Sequence, residues 1–215
     1  MTDPQQIAVL EEVIRTRRSC RIFSGQVPDE VLKKIVESAI YAPFAAGTGI
    51  PLKDIRRIFI FRQGTDTMDQ ARQIITTQLR SGAFKIGMAV RLFPFLRNKM
   101  LFFADRLNAT AEKGIPALTE GSFYIVAAEK KGFPPIAEQS LAHVMENMWL
   151  TATAHGVGFQ MLSVTNSLAK NTQFMNLLEL PPKGWALTGC MIGIPKQQPK
   201  GMRDRRTEQF IRWVE

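Results

Sequence analysis

Apolar positions along the chain follow two patterns, a recurrence at three- and four-residue steps and short unbroken runs, and the two interleave. From Gln5 to Arg17, Ile7, Leu10, Val13 and Ile14 are spaced to line one face of a helix that stops near Ser19. A second helix begins at Val27-Pro28-Asp29-Glu30, where proline and acids suit a first turn. It carries Val31, Leu32, Ile35, Val36 and Ala39, and Pro43 ends it. The longest helical pattern runs from Ala137 to His155, with Leu141, Val144, Met145, Met148, Trp149 and Ala152 on one stripe and Gly156 as a stop. Another helix is expected from Leu168 to Leu178, ahead of Pro181-Pro182. Ile55 to Phe61, Ser122 to Ala128 and Ala186 to Ile194 are apolar runs of strand length and read as strands of one sheet, with Phe159 to Val164 as a further short strand. No repeat, linker or composition break divides the 215 residues, so one mixed α and β domain is expected over residues 1–215.

Two segments stand apart from this pattern. Ala83 to Leu107 has the most membrane-like composition, but Lys85, Arg91, Arg97, Lys99 and Arg106 interrupt it and Pro94 would kink it. It reads as a surface or lid segment, without stable membrane insertion. Residues 201–215 are basic and then apolar. A tail ending in Phe210, Ile211, Trp213 and Val214 is expected to pack on a surface, that of a second subunit included.

Composition narrows the setting. The start, MTDPQQIAVLEEV, has acids where a signal peptide would be basic and lacks an apolar core, so export is not expected. Cys20 and Cys190 are the only cysteines and have no companion ligands, which argues against a disulfide framework or a cysteine metal site and fits a reducing cytoplasm. The net charge of +9 suits nucleic acid, an anionic membrane surface or an anionic small molecule. The sequence shows no helix-turn-helix, zinc-finger or RNP-like pattern, so nucleic acid is not the expected partner.

The strongest local chemistry lies in Arg17-Arg18-Ser19-Cys20-Arg21-Ile22-Phe23. If the backbone is extended there, Arg17, Ser19 and Arg21 point to one side, and two guanidinium groups with a hydroxyl suit a phosphate monoester. The competing reading is a solvated basic edge at a helix end. Flanking cations would lower the Cys20 thiol pKa, but alternation turns it away from the phosphate side. His143 and His155 share one helix and read as structural.

The order of a helix, R-R-S-C-R-I-F, and then V-P-D-E-V-L-K-K-I-V-E-S-A-I-Y-A-P resembles the opening of the nitroreductase family. The segment from Glu146 to Ala152 with His155-Gly156-Val157-Gly158 is similar to that family's Q-N-x-x-L-A-A…G-L-G stretch, and Gly193-Ile194-Pro195 with the basic residues after it to its closing G-x-P and tail. The resemblance implies an α+β fold, a three-layer α/β/α sandwich around a mostly antiparallel sheet, assembled as an intertwined homodimer. It implies FMN as cofactor, NAD(P)H as electron donor, and ping-pong reduction of a small-molecule acceptor: a nitroaromatic, quinone, enone or flavin. Placed on this sequence, Arg17, Arg18, Ser19 and Arg21 would contact the FMN phosphate and pyrimidine side, joined by one or two of Lys200, Arg203 and Arg205 from the tail. The turn Leu162-Ser163-Val164 would present backbone N–H to the flavin, and the flavin itself would carry the chemistry, with no catalytic side chain.

One segment departs from the family. After A-P its members usually continue S-x-N-x-Q-P-W, whereas this chain has Phe44-Ala45-Ala46-Gly47-Thr48-Gly49-Ile50-Pro51. Backbone groups of a glycine-rich loop would take the place of those polar side chains. Phe44 and Gly47, with Phe93 and Phe102 from the lid, are then the expected substrate pocket. Two further readings stay open at this level: a flavin-binding or flavin-handling protein without catalysis, and a basic nucleic-acid or membrane-surface binder using residues 80 to 106.

Overall fold

A computed structural model of the chain describes residues 3–44, 49–197 and 207–214. At its centre lies strand β3 (Phe123–Lys130), whose residues are buried up to Glu129. Successive side chains of a strand point to opposite faces. Tyr124, Val126 and Ala128 accordingly enter one apolar cluster with Phe61, Met68, Ile75 and Phe174. Phe123, Ile125 and Ala127 enter the other with Leu141, Val144, Met148 and Phe159. Both faces are dry, which is why the sequence here is an unbroken apolar run.

Strand β5 (Trp185–Pro195) runs antiparallel to β3, from Phe123 opposite Ile192 to Lys130 opposite Trp185. Strand β2 (Arg56–Arg62) pairs antiparallel with the other side of β3. Two short strands, β1 (Phe23–Gly25) and β4 (Gly158–Met161), both pair antiparallel with β5 near its C-terminal end. The sheet is open, in the order β1-β5-β3-β2 with β4 also on β5. This is the expected mixed fold with an antiparallel sheet.

Helices α2 (Asp29–Ile40) and α7 (Ala137–Ala154) supply the cluster around Phe159. Helices α4 (Asp66–Leu92) and α9 (Thr172–Leu177) supply the one around Tyr124. Helix α1 (Pro4–Thr16) is capped by Asp3, whose carboxylate accepts from the Gln5 N–H at 3.0 Å. The face predicted for α1 is present, but none of its residues is buried in the single chain, and Ile7, Leu10 and Ile14 are exposed.

Three expectations are adjusted. The strand expected over Phe159 to Val164 ends at Met161, and Val164 opens helix α8 (Val164–Leu168). The helix expected from Leu168 to Leu178 is broken, because the Asn171 side chain accepts from Phe174 N–H at 3.0 Å and starts α9 afresh. The segment 83–107 belongs to a helical hairpin. Helix α4 continues to Leu92, and Pro94, which lacks an N–H and has a helical φ, opens α5 (Pro94–Lys113).

An ion pair the sequence pattern does not reveal ties α2 to the sheet. Arg56 and Glu129 face each other across β2 and β3, both almost wholly buried, with 3.0 Å between Nη2 and Oε2. Arg56 also donates to the carbonyls of Ala39, Ala42 and Pro43, where α2 and the turn after it end.

Candidate functional site

After α1 the chain runs alongside β4. The Cys20 N–H donates to Phe159 O at 2.9 Å, and Ser19 pairs with Phe159 in a parallel bridge. Close approach is possible because Gly158 carries no side chain: a Cβ there would sit 2.8 Å from Cys20 Sγ and 2.9 Å from the Phe23 ring. The extended backbone turns Cys20 into the core and leaves Ser19 and Arg21 on the outer side, as alternation predicted.

Ser19 and Arg21 open onto a cavity of about 430 Å³. Its floor is Gln160 and Met161 of β4 and the turn Leu162-Ser163-Val164, and its far wall comes from the α4–α5 hairpin. On α5 the wall residues are Phe103, Arg106, Leu107 and Thr110, a single helical face. That volume falls in the range of about 300 to 1,000 Å³ common for small-molecule sites.

The polar groups around the cavity are poised for a ligand. Gln160 Oε1 is buried and has no hydrogen-bond partner, an arrangement that buried acceptors rarely keep unless something supplies a donor. The Leu162 N–H is spent on Gly189 O at 2.8 Å. Ser163 and Val164 lead into α8, where the Thr165 and Asn166 N–H groups are spent on Leu162 O and Ser163 O at 3.0 and 3.2 Å, leaving the N–H groups of Ser163 and Val164 as the donors this turn can offer. The geometry thus offers a hydroxyl, two guanidinium groups (Arg21 and Arg106), an amide acceptor and a helix start around one space.

The expected cluster of Arg17, Ser19 and Arg21 is met by Ser19 and Arg21. Arg17 lies on the flank, with its guanidinium 4.2 Å from the centre of the Trp149 ring and Nε 3.1 Å from Glu146 Oε1. An aromatic face and a carboxylate on α7 hold the cation more favourably than water does. The contact with Glu146 lacks hydrogen-bond alignment, so Arg17 Nε is buried without a hydrogen-bond partner. Arg18 turns back to the end of α1, donating to the carbonyls of Arg15 at 3.0 Å and Arg17 at 2.7 Å. Phe44 is half-buried beside Pro43, and Phe93 and Phe102 are exposed at the hairpin joint and along α5; none of the three lines the cavity. Gly47, Lys200, Arg203 and Arg205 lie outside the described residues.

Phe103, from the segment expected to roof the pocket, does line the cavity, and Gln160 and Arg106 line it without having been assigned to it from the sequence. The signal for Arg106 was available, since residues 103, 106, 107 and 110 repeat at helical spacing from the lid segment onward. For Gln160 no local signal exists. His143 and His155 are exposed and line no part of the cavity, and no cluster of His, Cys, Asp or Glu among the described residues could hold a metal ion.

The expectation for the Cys20 thiol is reversed in sign. Burial against the β4 backbone raises its pKa, and burial raises that of Cys190 as well. A raised thiol pKa means less thiolate at neutral pH. We therefore expect both cysteines of the native protein to resist alkylation at neutral pH and to react only once the protein is unfolded, as thiol titration with and without denaturant would read out; fast native labelling of Cys20 would contradict it.

Comparison with known proteins adds two findings. The model of the nitroreductase family matches residues 14–194. Solved structures with the same fold include a nitroreductase with bound FMN from Desulfitobacterium hafniense DCB-2, at 22% identity over 100% of both chains and a TM-score of 0.69. A nitroreductase with bound FMN from Bacteroides fragilis NCTC 9343 is 16% identical over 100% of both chains, also at a TM-score of 0.69. A BluB-like flavoprotein from Clostridium difficile 630 is 16% identical over 96% of this chain and 99% of that one, again at 0.69. Among curated proteins no match was found.

Proposed function

The chain belongs to the nitroreductase family, and from that premise we propose that it is an FMN-dependent oxidoreductase that takes electrons from NAD(P)H and passes them to a small-molecule acceptor. The observation that carries this reading is the convergence of Ser19, Arg21, the Gln160 acceptor and the turn Leu162-Ser163-Val164 on one cavity. Bound there, FMN would supply the hydride and electron-transfer chemistry, accepting from NAD(P)H and giving to the acceptor in alternate half-reactions.

The residues of this chain would do the holding and the electrostatics. Arg21 and Ser19 donate to phosphate or pyrimidine oxygens, and Arg21 places positive charge where the reduced ring system gathers negative charge. Gln160 Oε1 accepts a ring N–H. The start of α8 offers backbone N–H to acceptors on the ring, a role independent of side-chain type. Arg17 and Arg18 flank the cradle, and Lys200, Arg203 and Arg205 are the further cations assigned to the phosphate. Phe103, Leu107 and Ile115 give the cavity an apolar wall that keeps water from the reacting face. Phe44, Gly47, Phe93 and Phe102 remain assigned to acceptor selection, with residues 83–107 as the lid. The acceptor class is a nitroaromatic, quinone, enone or flavin.

The same reading takes residues 1–215 as one domain of three layers, in a cytoplasmic homodimer. The support for the dimer is apolar surface that a monomer leaves in water: Ile7, Leu10 and Ile14 on α1, and Phe210, Ile211, Trp213 and Val214 in the tail. Light scattering is expected to give the mass of two chains, and substitution of Trp213 and Ile211 by serine to shift it toward one. A monomer that holds FMN tightly would rule out a shared site.

The test of the function is the absorbance spectrum of the purified protein, expected to be yellow with oxidised FMN, followed by NADH and NADPH oxidation with a quinone or nitroaromatic acceptor. Protein that is colourless and takes up no FMN on titration would end the reading. Yellow protein that oxidises neither nicotinamide would leave a flavin carrier in place of an enzyme.

A further inference from the structure

Between Asp69 and Asp105 the chain contains no aspartate or glutamate, while Arg72, Arg80, Lys85, Arg91, Arg97 and Lys99 fall inside that interval. The outer part of the interval forms the joint of the α4–α5 hairpin, beyond the residues that line the cavity. On α4, Phe84, Met88 and Leu92 recur every four residues and form one exposed stripe, with Phe84 at 70% exposure. Phe93 and Phe95 continue it at the joint, and Phe102 on α5 is 81% exposed. On a helical projection Arg91 falls to one side of the α4 stripe and Lys85 to the other, and both are exposed.

An apolar stripe flanked on α4 by cations and by no acid suits one kind of surface. Helices with this pattern settle in the headgroup region of a bilayer, where apolar side chains leave water and cations meet anionic lipid. A second copy of this chain fits poorly, because it would set the same cations against themselves on a chain of net charge +9. The apolar surface of α1 differs in that Glu11, Glu12 and Arg15 mix both signs. A nucleic acid would meet the cations and stack on phenylalanine, but would leave Met88 and Leu92 in water. No helix among the described residues is long and apolar enough to cross a membrane, so the hairpin would lie on the surface.

We propose that the joint of α4 and α5 docks this protein on an anionic lipid surface, with Phe84, Leu92 and Phe95 entering the headgroup region and Lys85 and Arg91 meeting lipid phosphates. This goes beyond the oxidoreductase reading and does not rest on it.

The experiment is vesicle co-sedimentation of the full-length protein with phosphatidylcholine vesicles and with vesicles rich in phosphatidylglycerol, over a range of salt. Binding is expected to the anionic vesicles only and to weaken with salt. Lys85→Gln and Arg91→Gln should each weaken it about fivefold. Phe84→Ser with Leu92→Ser should weaken it at least about tenfold at unchanged melting temperature, since both side chains are exposed. Equal binding to neutral vesicles, no binding to anionic vesicles at low salt, or full binding by the serine variant would overturn the proposal. So would loss of the dimer in the serine variant, which would give this face to a second copy. An oligonucleotide that binds at physiological salt, insensitive to the serine substitutions, would give it to nucleic acid and overturn it as well.

Discussion

Replacing Arg56 by alanine is expected to destabilise the fold by about 3 to 5 kcal/mol, because it strands a carboxylate in the core. Arg56 Nε and Nη2 reach Glu129 Oε2 at 3.1 and 3.0 Å, Nη1 donates to the carbonyls of Ala39 and Ala42 at 2.9 Å each, and Nη2 also reaches Pro43 O and Ser140 Oγ. Ser140 Oγ lies in turn 2.8 Å from Glu129 Oε2, so one cation holds the end of α2, the sheet and the first turn of α7 together. Removing it leaves the Ser140 hydroxyl, which also reaches Pro43 O, as the remaining donor to Glu129 Oε2 and takes from the Ala39 and Ala42 carbonyls their donor from the sheet. The double variant Arg56→Met with Glu129→Leu removes both charges and should recover much of the loss, which separates an orphaned charge from mere loss of packing. Urea unfolding of the three proteins reads this out. An Arg56→Ala cost of less than about 1 kcal/mol would show that Glu129 finds another partner or a proton.

The second large effect is on cofactor binding. A charge-assisted contact to phosphate contributes about 1.5 to 3 kcal/mol, so Arg21→Ala is expected to weaken FMN binding on the order of tenfold to a hundredfold. Ser19→Ala should cost less, because a neutral hydroxyl makes the weaker bond, and Arg21→Lys should recover only part. Arg17→Ala should fall below Arg21→Ala, since Arg17 is held by Trp149 and Glu146 on the flank of the cavity. Riboflavin, which lacks the phosphate, is the control: it should bind the native protein poorly and lose less affinity than FMN does on Arg21→Ala. Equal affinity for riboflavin and FMN, or unchanged FMN affinity in Arg21→Ala, would return the basic segment to a solvated edge.

Much of the fold is legible because its signals are local. β3 and β5 announce themselves as apolar runs, since both of their faces are dry. The stripe of α7 and the start and stop of α2 follow from spacing, proline and glycine. The break between α8 and α9 is less visible, because Asn171 suits a helix interior poorly and a helix start well, and a tertiary setting chose the second role. The joint at Pro94 was seen as a kink, but the apolar and basic residues on both sides of it gave no sign that they belong to two long helices packed on each other.

What the sequence determined by itself is the family, through the order of its motifs, the alternation that sends Cys20 inward and Ser19 and Arg21 outward, and the stripes and apolar runs of the main helices and strands. The alternation, stripes and runs follow from periodicities of two and of three to four residues, which a chain carries in any environment. What only the tertiary structure decided are the relations between distant positions. Arg56 and Glu129 are 73 residues apart and become partners through strand register. Arg17 lies against Trp149 and Glu146 because the fold brings α7 beside it. The Cys20 thiol is held protonated by burial, although its sequence neighbours are cations. In each case the deciding energy is desolvation or a contact across the fold, and neither exists until the chain has closed on itself.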